Sequence, residues 1–116
     1  MQKETINDLI IGALEGGSNY WYDLPDLSMV EYFPVIRLPI MDRIIAAIND
    51  GAIIPVQDVE THEHLGEISL TNIKRAVKLM HDNHPHHYAD AITGDHDAIT
   101  SDIFLQLIVM GELVYG

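Results

Sequence analysis

The chain has 116 residues, 47% of them hydrophobic, and a formal net charge of −12 from 18 acidic against 6 basic residues. That length fits a single domain, residues 1–116, with enough apolar content for a proper core. The charge argues against a direct grip on nucleic acid or an anionic membrane surface, because Lys and Arg hold both, and the lack of cysteine excludes disulfides and thiol chemistry.

Along the chain, Thr5 is the expected N-cap of a first helix, with Asp8 completing an acidic variant of the capping box. Ile6, Leu9, Ile10, Ala13 and Leu14 follow an i, i+3, i+4 pattern and mark one buried stripe. Gly16-Gly17 is expected to end the helix in left-handed geometry. Residues 18–38 read as a long connection broken by Pro25 and Pro34, with Met29-Val30-Glu31-Tyr32-Phe33 of strand composition. Pro39 introduces a second helix, Ile40 to Ile48, which Asn49-Asp50-Gly51 terminates.

Residues 52–59 and 66–70 read as two short strands joined by a hairpin, with Pro55 placing the first at a sheet edge or making it irregular. Thr71 is the expected N-cap of a third helix, Asn72 to Asp82, which His84-Pro85 stops. A polar loop follows. The last helix runs from Asp97 to Met110, with Ile99, Ile103, Phe104, Leu107 and Ile108 as its apolar face and Gly111 as its cap. Leu113-Val114-Tyr115 has the composition of a short terminal strand. The expected fold class is α+β, with about four helices packed on a small antiparallel hairpin or sheet. The N-terminus lacks the apolar core of a signal peptide, and no run reaches the ~20 apolar residues of a spanning helix, so the expected location is the cytoplasm.

Three clusters are candidates for chemistry. The first is histidine: His62 and His64 in the hairpin turn, then His81, His84, His86, His87 and His96. Neutral imidazole is a common metal ligand, and Asp82, Asp90, Asp95 and Asp97 stand nearby. The spacing matches no established metal site, and no cofactor is expected. A metal-dependent hydrolase using these loops remains the enzymatic alternative.

The second is the acidic run Asp95-His96-Asp97, with Asp102 and Gln106 beyond it. Acidic residues suit a helix N-terminus, where free N–H groups and the dipole favour them, so Asp97 reads as the N-cap. An inward Asp102–Gln106 pair, four residues apart, requires hydrogen-bond partners. The third is Asn19-Tyr20-Trp21-Tyr22. Aromatic faces can stack on a base, and Arg37 or Arg43 can meet a phosphate; a Trp after a helix stop is more often core. Nothing here marks a catalytic nucleophile: there is no G-x-S-x-G elbow and no phosphate-cradling glycine loop.

LEGGSNYWY near the start and DAITSDIFLQLIVMGELVYG at the end together resemble a family of short phage- and prophage-encoded proteins of unassigned function. That family's pattern is an A-L-x-G-G-x-x-Y-W block and a terminal D-A-x-T-A-D-x-x-x-Q-x-x-x-x-G-E-x-V-Y-G block. The match runs through Leu14, Gly16, Gly17, Tyr20 and Trp21, then Asp97, Ala98, Thr100, Asp102, Gln106, Gly111, Glu112, Tyr115 and Gly116. It departs at Ser101, where alanine is usual, and the middle of the chain matches only loosely. The resemblance implies a phage-derived accessory protein that interferes with a host process.

The expected function is therefore non-enzymatic: binding of a host protein or a small nucleotide in the host cytoplasm, by a homo-oligomer. Asn19, Tyr20, Trp21, Tyr22, Asp95, Asp97, Asp102 and Gln106 are the expected ligand or partner surface, with Trp21 itself in the core. A structural phage component is a further alternative.

Overall fold

Helix α1 spans Lys3–Gly12 in the computed structural model, which describes residues 1–28 and 38–116. The expected strand over Met29–Phe33, and Arg37, lie outside the described residues. Of the anticipated stripe, Leu9, Ile10, Ala13 and Leu14 are buried and Ile6 is half-buried against them. Thr5 is not the cap. Gln2 flanks the helix and makes no side-chain cap bond, so the helix begins two residues ahead of Thr5, at Lys3.

The end of α1 differs more. The chain widens into a π-type turn over Ala13–Gly17, closed by the Ser18 N–H on the Ala13 carbonyl at 2.9 Å. Neither Gly16 nor Gly17 is left-handed. The reason for Gly17 is proximity: a Cβ there would lie 2.5 Å from the Ala98 carbonyl oxygen, at the start of the last helix.

Strand β1, Tyr22–Asp23, follows, and then helix α2, Ile40–Asn49, which buries Ile44, Ile45, Ala47 and Ile48. Gly51, at φ +98, supplies the left-handed turn after α2 that Asn49-Asp50-Gly51 announces. Strands β2, Ile54–Asp58, and β3, His64–Ile68, complete an antiparallel sheet of order β1-β2-β3. Tyr22 pairs with Asp58 and Ile54 with Ile68. β1 reaches only Gln57 and Asp58, so among the described residues no strand pairs with Pro55 on that side of β2. β3 lies close against the last helix at Gly66, where a Cβ would meet the Val109 carbonyl at 2.1 Å.

Helix α3, Leu70–Asn83, is capped by Ser69, whose hydroxyl accepts from the Asn72 N–H; Thr71 lies inside the helix. The expected polar loop after it is partly a helix, α4, Pro85–Thr93, with proline in its first turn and left-handed Gly94 after it. Only Ala91 of α4 is fully buried, which is why no apolar stripe announced it. Helix α5, Ala98–Met110, begins with the Asp97 carboxylate on the Thr100 N–H at 3.0 Å and ends at left-handed Gly111. Both caps agree with the expectation.

α5 is the centre of the molecule, packed by α1, the π-type turn, α3, α4 and β3. It is buried from Thr100 to Val109, on every side rather than along one face. Ile99, expected inside, is 64% exposed because it lines an open cleft, whereas Thr100 and Ser101 in the same turn are buried. Leu113–Tyr115 forms no strand; side-chain bonds from Gln106 hold it instead. The fold is α+β, with five α-helices and a three-stranded antiparallel sheet among the described residues. No helix among them is long and apolar enough to cross a membrane.

Candidate functional site

An aspartate inside an apolar helix must find donors, and Asp102 finds them on the far side of the chain. It is 8% exposed. Its Oδ1 accepts from the Ser18 hydroxyl and from the Trp21 indole Nε1, each at 2.7 Å. Its Oδ2 accepts from the Tyr20 hydroxyl at 2.5 Å and from Gln106 Nε2 at 3.1 Å. A carboxylate has about four lone-pair sites, and these are all engaged. The four partners are neutral, so hydrogen bonds rather than a counter-ion hold the charge among the described residues.

Backbone economy makes this possible. The π-type turn delivers Ser18, and a tight turn from Ser18 to Trp21 aims Tyr20 and Trp21 the same way. α1 and its turn approach α5 closely because Gly12 faces Ser101 and Gly17 faces Ala98; a Cβ on Gly12 would lie 2.7 Å from the Ser101 hydroxyl. Larger residues at either position would lift α5 off the turn and open the network.

Gln106 extends the network to the chain's last residues. Its Oε1 accepts from the N–H groups of Val114 and Tyr115, both at 2.9 Å, and its Nε2 also reaches the Tyr115 carbonyl at 3.1 Å. The Tyr115 ring then stacks on Trp21, with centroids 5.3 Å apart and planes 10° from parallel. The Tyr115 hydroxyl donates to Asp58 Oδ2 at 2.7 Å, tying the tail to the hairpin. That bond, with neighbouring negative charge and burial, pushes the Tyr115 hydroxyl up to about 12. Burial, then the bond to Asp102, pushes Tyr20 up to about 12 as well.

Above this network is a cleft of about 670 Å³. Gly16-Gly17 forms one wall, the first turns of α5 with Ile99 and Ile103 a second, and the tail with Leu113 and Tyr115 a third. Tyr20, Asp102 and Gln106 form the floor, and no Lys or Arg lines the cleft among the described residues. Tyr20 is 52% exposed, so its ring faces the opening while its hydroxyl is tied down.

The expected site residues therefore divide. Tyr20, Asp102 and Gln106 come together at the cleft. Trp21, 1% exposed, lies in the core behind them, as its residue type suggested. Tyr22 is half-buried and its hydroxyl donates to the Leu14 carbonyl. Asn19 is exposed, its amide on the Glu15 carbonyl. Asp95 and Asp97 are exposed and do not line the cleft; Asp97 is occupied as a cap, and the Thr100 N–H holds its carboxyl below the usual range. Arg43 lies on α2, away from the cleft.

Ser18, Leu113 and Tyr115 were not anticipated at the site. Ser18, Tyr20 and Trp21 offer three side-chain donors in four residues, and Asp102 is a carboxylate in an apolar helix that demands donors. Matching the two would have found the network.

The histidines stay apart. His62 and His64 are exposed in the hairpin, His81 binds Asp82 at 2.9 Å, and His87 meets the Thr100 hydroxyl at 2.9 Å. Among the described residues, no three His, Asp or Glu side chains are grouped so as to hold a metal ion. No protein-family model matches the chain, and comparisons with curated proteins and with solved structures likewise found no match.

Proposed function

We propose that the chain is a phage- or prophage-type accessory protein that acts without catalysis, by binding a host protein through this cleft. The observation that carries the reading is the meeting of the two end motifs, LEGGSNYWY and DAITSDIFLQLIVMGELVYG, around one open, largely apolar hollow. The chemistry of its floor supports recognition over reaction. The lone pairs of Asp102 are engaged, and Tyr20 stays protonated until about pH 12, so neither serves as a base near neutral pH.

Between the two ligand classes, the host protein is favoured. A nucleotide phosphate needs cationic or N–H donors, and the cleft has no Lys or Arg among the described residues. Protein interfaces instead centre on apolar and aromatic contacts, as Ile99, Leu113 and Tyr20 supply. The same reading has the protein working as a homo-oligomer in the host cytoplasm.

Immobilised wild-type protein is expected to retain a discrete host protein from lysate, and an Ile99→Glu bait to lose it. Ile99 is mostly exposed, so this change spares the core. A nucleotide panel is expected to leave the melting temperature unchanged. A shift of several degrees that vanishes in Tyr20→Ala would replace the reading with nucleotide sequestration. Large regular assemblies in light scattering would replace it with a structural role.

A further inference from the structure

We infer that the cleft receives a cationic peptide segment, one apolar side chain at its centre and Lys or Arg on either side. This rests on the host-protein reading and specifies the partner's chemistry. The centre of the cleft offers apolar contact and little else. Ile99 on α5 and Leu113 on the tail are exposed apolar side chains that line the cleft, and the half-exposed Tyr20 lines it with them. The polar floor is satisfied internally, so a ligand gains nothing by presenting a charge to it.

Exposed carboxylates neighbour the lining residues in sequence. Each wall has a carboxylate next in sequence to a lining residue: Glu15 beside Gly16, Asp97 beside Ala98, and Glu112 beside Leu113. Glu15, Asp97 and Glu112 are all exposed and sit on three separate segments, and no Lys or Arg lines the cleft among the described residues. The whole chain adds its −12 to that field. An anionic ligand is repelled from this mouth, and so is a second copy of an equally acidic chain. A basic segment is drawn to it, with apolar burial at the centre and solvated ion pairs at the rim. The rim pairs set encounter rate and salt dependence, and the central side chain sets residence time.

Gly16 allows a clean test. A Cβ placed there meets nothing within 4 Å, so a Gly16→Leu side chain leaves the backbone unobstructed and adds bulk to the cleft lining. Three synthetic peptides serve as probes: Leu flanked by lysines, Leu flanked by glutamates, and Ala flanked by lysines. Binding to the full chain is followed by calorimetry and by the fluorescence of Trp21, which stacks on the cleft residue Tyr115.

The lysine-flanked Leu peptide is expected to bind at least about ten-fold more tightly than either of the others. Gly16→Leu is expected to weaken it about ten-fold with the melting curve unchanged, and added salt to weaken it severalfold. Equal or tighter binding of the glutamate-flanked peptide overturns the inference and leaves the host-protein reading standing. So does lysine-peptide binding that Gly16→Leu does not weaken, which assigns it to the acidic surface at large. Absence of binding by every probe overturns it too, as does a change of oligomeric state in Gly16→Leu, which makes the occupant a second copy. Retention of the host protein by a Gly16→Leu bait would instead overturn the reading on which the inference rests.

Discussion

An aspartate accepts a tyrosine hydroxyl in two regions of this molecule, and the two pairs do different work. In the core, Asp102 takes Tyr20 together with Ser18, Trp21 and Gln106, gathering groups from the π-type turn and α5. At the hairpin, Asp58 takes Tyr115 and the N–H groups of Glu60 and Thr61. The Thr61 N–H first, then Tyr115 and Glu60, pull the Asp58 carboxyl down to about 2. Asp58 is the half-buried last residue of β2, which caps the hairpin turn and latches the tail. Asp102 is a desolvated charge around which two chain ends are assembled. Water reaches Asp58 far more readily than it reaches the Ser18 and Trp21 donors behind Asp102, which are 0% and 1% exposed.

The largest expected effect is at Asp102. Asp102→Ala orphans several buried donors at about 1–3 kcal/mol each, so urea unfolding should lose about 3 kcal/mol or more. Asp58→Ala should shift the urea midpoint far less. Equal losses would end the distinction between the two regions.

Next is Gly17→Ala, which pushes a methyl into the Ala98 carbonyl and should cost about 2 kcal/mol. Its neighbour supplies the control, because Gly16→Ala meets nothing and should be neutral or stabilise by up to about 1 kcal/mol. A similar loss at both glycines would argue that the turn needs glycine for its backbone rather than for proximity.

The pH dependence separates the pairs further. Tyr20 and Tyr115 have hydroxyls raised from 10.0 to about 12 in the fold. A raised folded value means that their contribution is complete below pH ~10 and is lost as pH climbs through about 12. Asp58 is depressed, so its contribution is complete above pH ~4 and fades as pH falls through about 2. Tyrosinate absorbance should therefore show Tyr20, Tyr22 and Tyr115 titrating late among the described tyrosines, and Tyr115→Phe should remove one of them. The smallest stability loss is expected for Tyr115→Phe itself, which keeps the stack on Trp21 and loses only the part-buried bond to Asp58.

What could be read in advance follows a physical line. The Asp97 and Gly111 caps of α5 and the left-handed Gly51 are decided by a few neighbouring residues, and the sequence announces each. The buried stripe of α1 and the core position of Trp21 follow from periodicity and residue type. α4 was missed because it buries too little to leave a stripe, and because Pro85 ends one helix while opening another. Gly16-Gly17 was misread because a left-handed end is a local inference, whereas Gly17 answers to a carbonyl about eighty residues away.

By itself the sequence determined the α+β class, the limits of α2 and α5, and the demand that Asp102 and Gln106 be satisfied, since propensity, capping and desolvation act on each residue type wherever it lies. Only the tertiary structure decided how that demand is met. The bonds from Ser18 and Trp21 to Asp102 span 84 and 81 residues. The position of the Tyr20 ring, and the cleft left open above it, depend on how closely α1 and its turn approach α5. That distance is set by packing across the core, which no short stretch of chain records.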